Sequence, residues 1–207
     1  MTVVRDICLL QVEPDGLVFD VASLQGSIIK EDADYEGVRV TFLARLENAQ
    51  VRMQRDMGFG DVLTPSATWT EYPTILDLAP PRLWGYSRET SVAEKFEAMV
   101  KLGQLNSRMK DFFDIWFLSR QFDFDGAILA DAVANTLAHR GTVIVVPPPA
   151  LMSAFASDPT KAAQWSGFLR KALLPSAPTD LGQIIDTLAA FLLPVARALH
   201  DGERFSA

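Results

Sequence analysis

Between Gly37 and Leu46 the apolar residues Val38, Val40, Phe42, Ala44 and Leu46 fall on one parity. That is the period-2 signature of a half-buried strand. Glu47-Asn48-Ala49 makes a short turn, and Val51, Met53 and Met57 lie along the strand that returns. The pattern predicts a β-hairpin ending at Gly58-Phe59-Gly60-Asp61, where two alternating glycines mark a sharp bend or a close approach. Upstream, the turn signal Glu13-Pro14-Asp15-Gly16 precedes another extended run, Leu17-Val18-Phe19-Asp20. Met1 to Val12 carries Arg5, Asp6 and a short apolar run with no small-residue cleavage site after it. It reads as the start of a strand or helix rather than a signal peptide.

Thr64 to Pro81 is loop-like, with Pro65, Pro73, Pro80 and Pro81, and beyond it the period becomes helical. Ser91-Val92-Ala93-Glu94 fits a capping box, in which the Ser hydroxyl and the Glu carboxylate satisfy free backbone N–H groups. The helix it opens is expected to end at Gly103. Ser107 is placed to cap a second helix through Arg120, with Met109, Phe112, Phe113, Trp116 and Phe117 as a broad apolar face. Asp125 caps a third, with Ile128, Leu129, Ala132, Val133 and Leu137 inward and Gly141 as its stop. Asp158-Pro159 opens a fourth, since Pro is tolerated in a first turn. Asp180 opens a long fifth helix that Pro194 is expected to kink or divide. Strands first and helices after imply an α+β architecture, with a β-rich region over residues 1–85 and a helical domain over 86–207.

Composition narrows the function. The chain has 207 residues, 49% of them hydrophobic and 22% charged, which suits a globular protein with a real core. No stretch reaches the roughly 18 uninterrupted apolar residues of a membrane span, and Thr187 to Leu199 reads as a core helix. Cys8 is the single cysteine, which excludes an intrachain disulfide and a thiolate metal cluster. A cytoplasmic protein without membrane attachment is the expectation. The net charge of −7 argues against a surface that binds nucleic acid everywhere, because phosphate contacts need clustered Lys and Arg; one local basic groove stays compatible with it. His139 and His200 stand far apart in the chain and read as ordinary helix-end residues, leaving little for a zinc site or a serine-type triad.

Three charged clusters are candidates for chemistry. Asp56, with Asp61 five residues on, flanks the Gly58–Gly60 bend. A carboxylate there can hold a divalent cation, or be a solvated strand residue beside a turn aspartate. Glu94-Lys95 combines a capping acid with a lysine that can reach a triphosphate as a point charge or simply face solvent. In Asn106-Ser107-Arg108-Met109-Lys110-Asp111-Phe112-Phe113-Asp114, residues Arg108, Asp111 and Asp114 share a helix face, and Lys110 and Asp114 form an i,i+4 pair. That face is either salt-bridged surface or one wall of a groove for a nucleotide. There is no Gly-x-x-x-x-Gly-Lys phosphate loop and no Gly-x-Gly-x-x-Gly fingerprint.

The order of these segments carries a resemblance. Asp15-Gly16-Leu17-Val18-Phe19, Tyr35-Glu36-Gly37-Val38-Arg39-Val40 and Asp56-Met57-Gly58-Phe59-Gly60-Asp61 come first. Tyr72-Pro73-Thr74-Ile75-Leu76, Tyr86-Ser87-Arg88-Glu89, Ala93-Glu94-Lys95-Phe96 and Asn106 through Asp114 follow. Over nearly its whole length the chain resembles the AbiEii/AbiGii-type nucleotidyltransferase toxins of toxin–antitoxin and phage-defence loci. The resemblance implies what remains of a polymerase-β-like nucleotidyltransferase sheet followed by a helical C-terminal domain. It implies transfer of a nucleotidyl group from an NTP, with Mg²⁺, to a tRNA end or a protein, and a cognate antitoxin as partner. Mapped by motif, Asp56 is the metal-site acid, Lys95 a phosphate contact, Arg108 and Lys110 nucleotide contacts, and Asp111 and Asp114 the later catalytic acids.

One departure is visible. Members of the family carry Gly-Ser followed about ten residues later by Asp-x-Asp, the pair that holds the ions. Here Gly26-Ser27 is followed too closely by Asp32 and Asp34, and lies after the Asp-Gly-x-Val-Phe element, so the match reads as coincidence. The chain is expected to begin downstream of the true motif, through truncation, a misplaced start, or a segment carried on another polypeptide. Two functions follow: an enzyme subunit inactive without that segment, or a non-catalytic relative that binds an antitoxin or RNA.

Overall fold

A computed structural model of the chain describes residues 1–12, 14–31, 35–174 and 176–205, with the side chains of residues 30, 31, 35 and 36 left aside. Glu13 of the expected turn, and Asp32 and Asp34, lie outside the described residues. The chain divides into two compact units, Met1–Asp61 and Val62–Ala207.

The first unit opens with helix α1 (Thr2–Cys8) and continues into β1 (Leu17–Glu31), β2 (Tyr35–Leu46) and β3 (Ala49–Met57). These form an antiparallel sheet in the order β1-β2-β3. The alternation that predicts β2 is realised at its centre, where Val40, Phe42 and Ala44 are buried while Leu46 is exposed. Phe42 meets Phe19 of β1 edge to face, with ring centroids 5.7 Å apart, a favourable aromatic geometry. The β2–β3 turn is tight: Leu46 pairs with Ala49, and Glu47 takes a left-handed φ of 50°. In β1 a register shift between Asp20 and Gln25 is stitched by Ser23, whose Oγ donates to Asp20 O and accepts from Leu43 N. Gly26 and Ser27 lie inside β1, opposite Val40 and Arg39.

The second unit begins with a feature the loop expectation for residues 64–81 overlooks. β4 (Thr68–Glu71) and β5 (Arg82–Gly85) form a two-stranded antiparallel sheet. Its four-residue strands are largely exposed, so no buried alternation marks them. The cross-strand pair Trp69–Trp84, centroids 4.6 Å apart, supplies side-chain contact that a turn-rich reading does not see.

The helices follow: α2 (Arg88–Leu102), α3 (Met109–Gln121), α4 (Gly126–His139), α5 (Ser153–Ala156), α6 (Pro159–Ala172) and α7 (Leu181–Asp201). Asp125, Asp158 and Asp180 cap α4, α6 and α7, accepting from backbone N–H groups in the first turns. Two expected caps move. α2 starts earlier, on Ser87, whose Oγ accepts from Thr90 N at 3.0 Å, so Ser91 and Glu94 sit within the helix rather than at its start. Thr90 is fully buried and donates to Thr64 O at 2.9 Å, which anchors the chain entering α2. At α3 the backbone N–H of Arg108 is taken by Asn106 Oδ1 at 2.8 Å, not by Ser107.

Phe96, Phe112, Phe155 and Trp165 are fully buried in one core with Met99, Ile115 and the inner face of α7. Burying each such side chain contributes about 1.5–3 kcal/mol before entropy. Two expected core residues, Phe117 and Ile128, are exposed. Helix α7 runs unbroken past Pro194. It is long and apolar enough to cross a membrane by length and composition, but Leu181, Ile184, Ile185, Leu188, Leu192, Val195 and Ala196 bury one face of it in the core. The result is an α+β protein with small antiparallel sheets followed by helices, as the sequence pattern implies.

Candidate functional site

Helices α2 and α3 are in contact and both feed the core, α2 with Phe96 and Met99 and α3 with Phe112 and Ile115; the residues beside these in the chain form a charged cluster. Lys95 precedes buried Phe96, while Asp111 and Asp114 flank Phe112 and Ile115 one turn apart. Lys95 Nζ lies 3.2 Å from Asp114 Oδ2 and 3.6 Å from Asp111 Oδ1. Lys110 reaches the same Asp114 oxygen at 2.5 Å. Two ammonium groups thus balance two carboxylates. Burial pushes the Asp111 carboxyl above its ordinary pKa, a shift opposed by the nearby charges of Lys95, Arg108 and Lys110 and reinforced by that of Asp114. Loss of water weakens the charged form more than these cations restore it.

The start of α3 is fixed from below. Asn106 is fully buried; its Nδ2 donates to Ala98 O at 3.4 Å. The buried ammonium of Lys161 on α6 donates to Asn106 O at 2.9 Å and lies over the Phe155 ring. Beside this anchor is an open groove of about 550 Å³. Ser107, Arg108, Met109, Lys110 and Asp111 line one side; Gln164, Gly167, Phe168 and Lys171 of α6 line the other. Arg108, Lys110 and Asp111 on the α3 side are among the candidates named from the sequence, whose pattern leaves that face open between a salt-bridged surface and a groove wall. The α6 side is not among them: its residues repeat at helical spacing, but nothing local indicates which neighbour that face meets.

Asp56 belongs to the first unit, on β3 opposite Arg39 of β2. The Arg39 guanidinium donates Nε to Oδ1 and Nη2 to Oδ2, each at 2.7 Å. Gln54 Nε2 donates to both oxygens as well. The hydrogen bonds from Arg39 hold the Asp56 carboxyl below its ordinary pKa. A forked Arg–carboxylate pair is strong and oriented, and it occupies the lone pairs that a metal would need. Among the described residues no group of three or more His, Cys, Asp or Glu side chains comes together as a metal site. Mg²⁺ is usually held by one or two carboxylates together with substrate phosphates and water; the two carboxylates one turn apart on α3, Asp111 and Asp114, meet Lys95 and Lys110.

The structure thus joins Lys95, Lys110, Asp111 and Asp114 in one cluster, places Arg108 on the adjoining groove, and leaves Asp56 in the other unit. Glu94, expected to cap α2, instead approaches Arg140 at 3.7 Å. Glu97, buried on the same helix, accepts from Arg140 Nη1 at 3.0 Å and from Thr142 Oγ1. His139 and His200 fall in the last turns of α4 and α7, as their spacing implies.

These features define an α+β protein whose charged chemistry gathers at a Lys–Asp–Asp contact between two helices. The family model described as nucleotidyl transferase AbiEii toxin, type IV toxin–antitoxin system, matches residues 2–190, and the chain belongs to that family. No curated protein and no solved structure gives a significant match. Membership points to a nucleotidyltransferase-like toxin with an NTP substrate and a cognate antitoxin.

Proposed function

We propose that this chain is the nucleotide-handling part of a nucleotidyltransferase toxin, with Lys95, Arg108 and Lys110 on the phosphates of an NTP. In the proposed reaction an acceptor hydroxyl, at an RNA end (tRNA among the proposed acceptors) or on a protein, attacks the α-phosphorus. The new P–O bond forms as the bond to pyrophosphate breaks, and the hydroxyl proton passes to the Asp111 carboxylate. The observation that carries this reading is Lys95 held between Asp111 and Asp114 at 3.6 and 3.2 Å. It sets a phosphate-seeking cation beside a carboxylate whose pKa is already raised, the direction that suits a general base. Asp114 orients the lysine.

Transfer of this type relies on positioning and on neutralising phosphate charge. We infer that it also needs a Gly-Ser/Asp-x-Asp carboxylate pair at the family's spacing, which residues 1–207 do not contain; Gly26-Ser27, paired with Val40 and Arg39 inside the β1–β2 ladder, is a poor candidate for it. The isolated chain then binds nucleotide without transferring it. In this proposal the three-stranded sheet is the remainder of a polymerase-β-like sheet, and the protein acts in the cytoplasm in a toxin–antitoxin or phage-defence role. The Asp56–Arg39 fork favours a second reading, a non-catalytic relative that binds antitoxin or RNA, because it spends the proposed metal-site acid on a structural pair.

The test is labelling. The chain is incubated with each α-labelled NTP, Mg²⁺ and total tRNA, alone and with a polypeptide carrying the Gly-Ser/Asp-x-Asp segment of another family member. No label from the chain alone, and label in the mixture that Lys95→Ala abolishes, is the expected result. Label from the chain alone that Asp56→Ala removes overturns the inferred inactivity. A mixture that stays silent while RNA or antitoxin still binds the chain supports the second reading.

A further inference from the structure

The hairpin of β4 and β5 stands without a covering layer. A two-stranded antiparallel hairpin is marginal in water unless a further strand or a helix packs on it. Among the described residues β4 and β5 contact one another, and neither packs broadly on a helix or on another strand. Every residue of β4, and all of β5 but Gly85, is exposed. Strand pairing sets Trp69 opposite Trp84 and Glu71 opposite Arg82, so these four side chains share one face. The two indoles are 55% and 62% exposed even though they pack on each other. The loop between the strands is closed by hydrogen bonds from Tyr72 N to Pro81 O and from Thr74 Oγ1 to Leu78 O. It holds Ile75 fully exposed, beside exposed Leu76 and Leu78.

Exposed apolar surface on this scale marks a docking site. Covering Trp69, Tyr72, Ile75, Leu76, Leu78 and Trp84 removes on the order of 800 Å² from water, which is what one partner contributes to a standard-size interface. Trp, Tyr and Arg are the residues that dominate interface energetics, and Arg82 lies over the Trp69 ring at 5.7 Å. Charge selects the occupant. The chain carries a net −7, so a basic partner is drawn to its acidic surface rather than to a face where one Glu and one Arg balance. A second copy is repelled by that same acidic surface, and the balanced face is where it can approach. Glu71 and Arg82 are also reciprocal: across a two-fold axis Arg82 of each copy meets Glu71 of the other, the self-complementary arrangement of an isologous dimer.

We propose that the β4–β5 hairpin and its loop are the surface through which this chain forms a homodimer. The Trp69–Trp84 faces of two copies pack together across a two-fold axis, Arg82 of each copy pairs with Glu71 of the other, and the apolar loop residues are covered. The inference is independent of the nucleotide reading, because the Lys95–Asp111–Asp114 contact takes no part in it.

The experiment is sedimentation velocity over a dilution series of the 207-residue chain and of Ile75→Asp, Glu71→Arg and Arg82→Glu, each first checked for a cooperative melt. Ile75 is fully exposed, so its replacement leaves the fold of one copy intact. The wild type is expected to sediment at twice the mass of one chain and to dissociate on dilution. Ile75→Asp is expected to weaken the dimer tenfold or more, as loss of an interface anchor does, by about 2 kcal/mol. Glu71→Arg and Arg82→Glu each place like charges across the axis and are expected to be monomers. An equimolar mixture of these two restores both opposite-charge contacts and is expected to give the dimer back. A monomeric wild type overturns the proposal, whichever other surface or partner then covers the hairpin. A wild-type dimer that all three variants retain places the interface elsewhere and overturns it as well. A dimer lost in Ile75→Asp but kept in both charge variants supports the hairpin surface and overturns the Arg82–Glu71 register.

Discussion

The ammonium of Lys95 lies 3.2 Å from the carboxylate of Asp114, a contact that ties α2 to α3 at the edge of the aromatic core. Both groups keep some exposure, so the pair itself stabilises the fold only modestly, by about 0–1 kcal/mol. Its consequence is positional: the lysine is held at one point of the helix pair, with Asp111 beside it. Lys95→Ala is expected to lower stability by no more than about 1 kcal/mol in urea denaturation. A larger loss would mark the cluster as a structural clasp.

Asp111 gives a pH prediction. Burial raises its folded-state pKa above the unfolded value. Its stabilising contribution is then complete below the unfolded pKa and lost as pH rises through the raised one. Asp111→Asn removes that loss. The variant and wild type are expected to melt together near about pH 3, with the variant melting higher by about pH 7. A variant that melts lower at neutral pH would show that pairing with Lys95 outweighs burial.

The cap of α2 is separable from its look-alike. Ser87→Ala removes the acceptor for Thr90 N and is expected to cost about 1 kcal/mol. Ser91→Ala, inside the helix, is expected to change stability by less than about 0.5 kcal/mol. Chemical denaturation of both variants decides between them, and equal losses would contradict the assignment.

Glu97 is the buried acid that joins α2 to the end of α4 through Arg140 and Thr142. Removing it leaves a partly buried guanidinium without that carboxylate. Glu97→Ala is expected to destabilise by about 2–3 kcal/mol, the range for hydrogen bonds to charged groups, read from the midpoint and slope of a urea transition. A loss under about 0.5 kcal/mol would contradict it.

Gln164→Met keeps length and removes a buried acceptor that no donor meets. It is expected to stabilise by up to about 1 kcal/mol, seen as a higher Tm.

What was legible in the sequence was local. Val38 to Leu46 alternates because β2 buries one face. Asp125, Asp158 and Asp180 cap helices because each stands just before an amphipathic run. Ser91-Val92-Ala93-Glu94 misleads because it also satisfies the capping-box spacing, and only the contact of Thr90 with Thr64, far along the chain, selects Ser87. The Trp69–Trp84 pair is likewise non-local, and four prolines nearby mask it. At the site, the order of motifs pointed to Lys95, Asp111 and Asp114. The equal spacing of Arg108, Asp111 and Asp114 suggested a single face, yet Arg108 stands before the first turn of α3 and lines the groove. The α6 wall and the Arg39–Asp56 fork depend on packing and strand register, which no short pattern encodes.

Direct titration of NTP into the chain and into Lys95→Ala, followed by calorimetry, puts the Lys95 site to the plainest test. Binding by the wild type, weakened about 10- to 100-fold in the variant, matches the loss of one charge-assisted phosphate contact of about 1.5–3 kcal/mol. Equal affinity in the two proteins, with the variant folded, would contradict the placement of the nucleotide phosphates at Lys95.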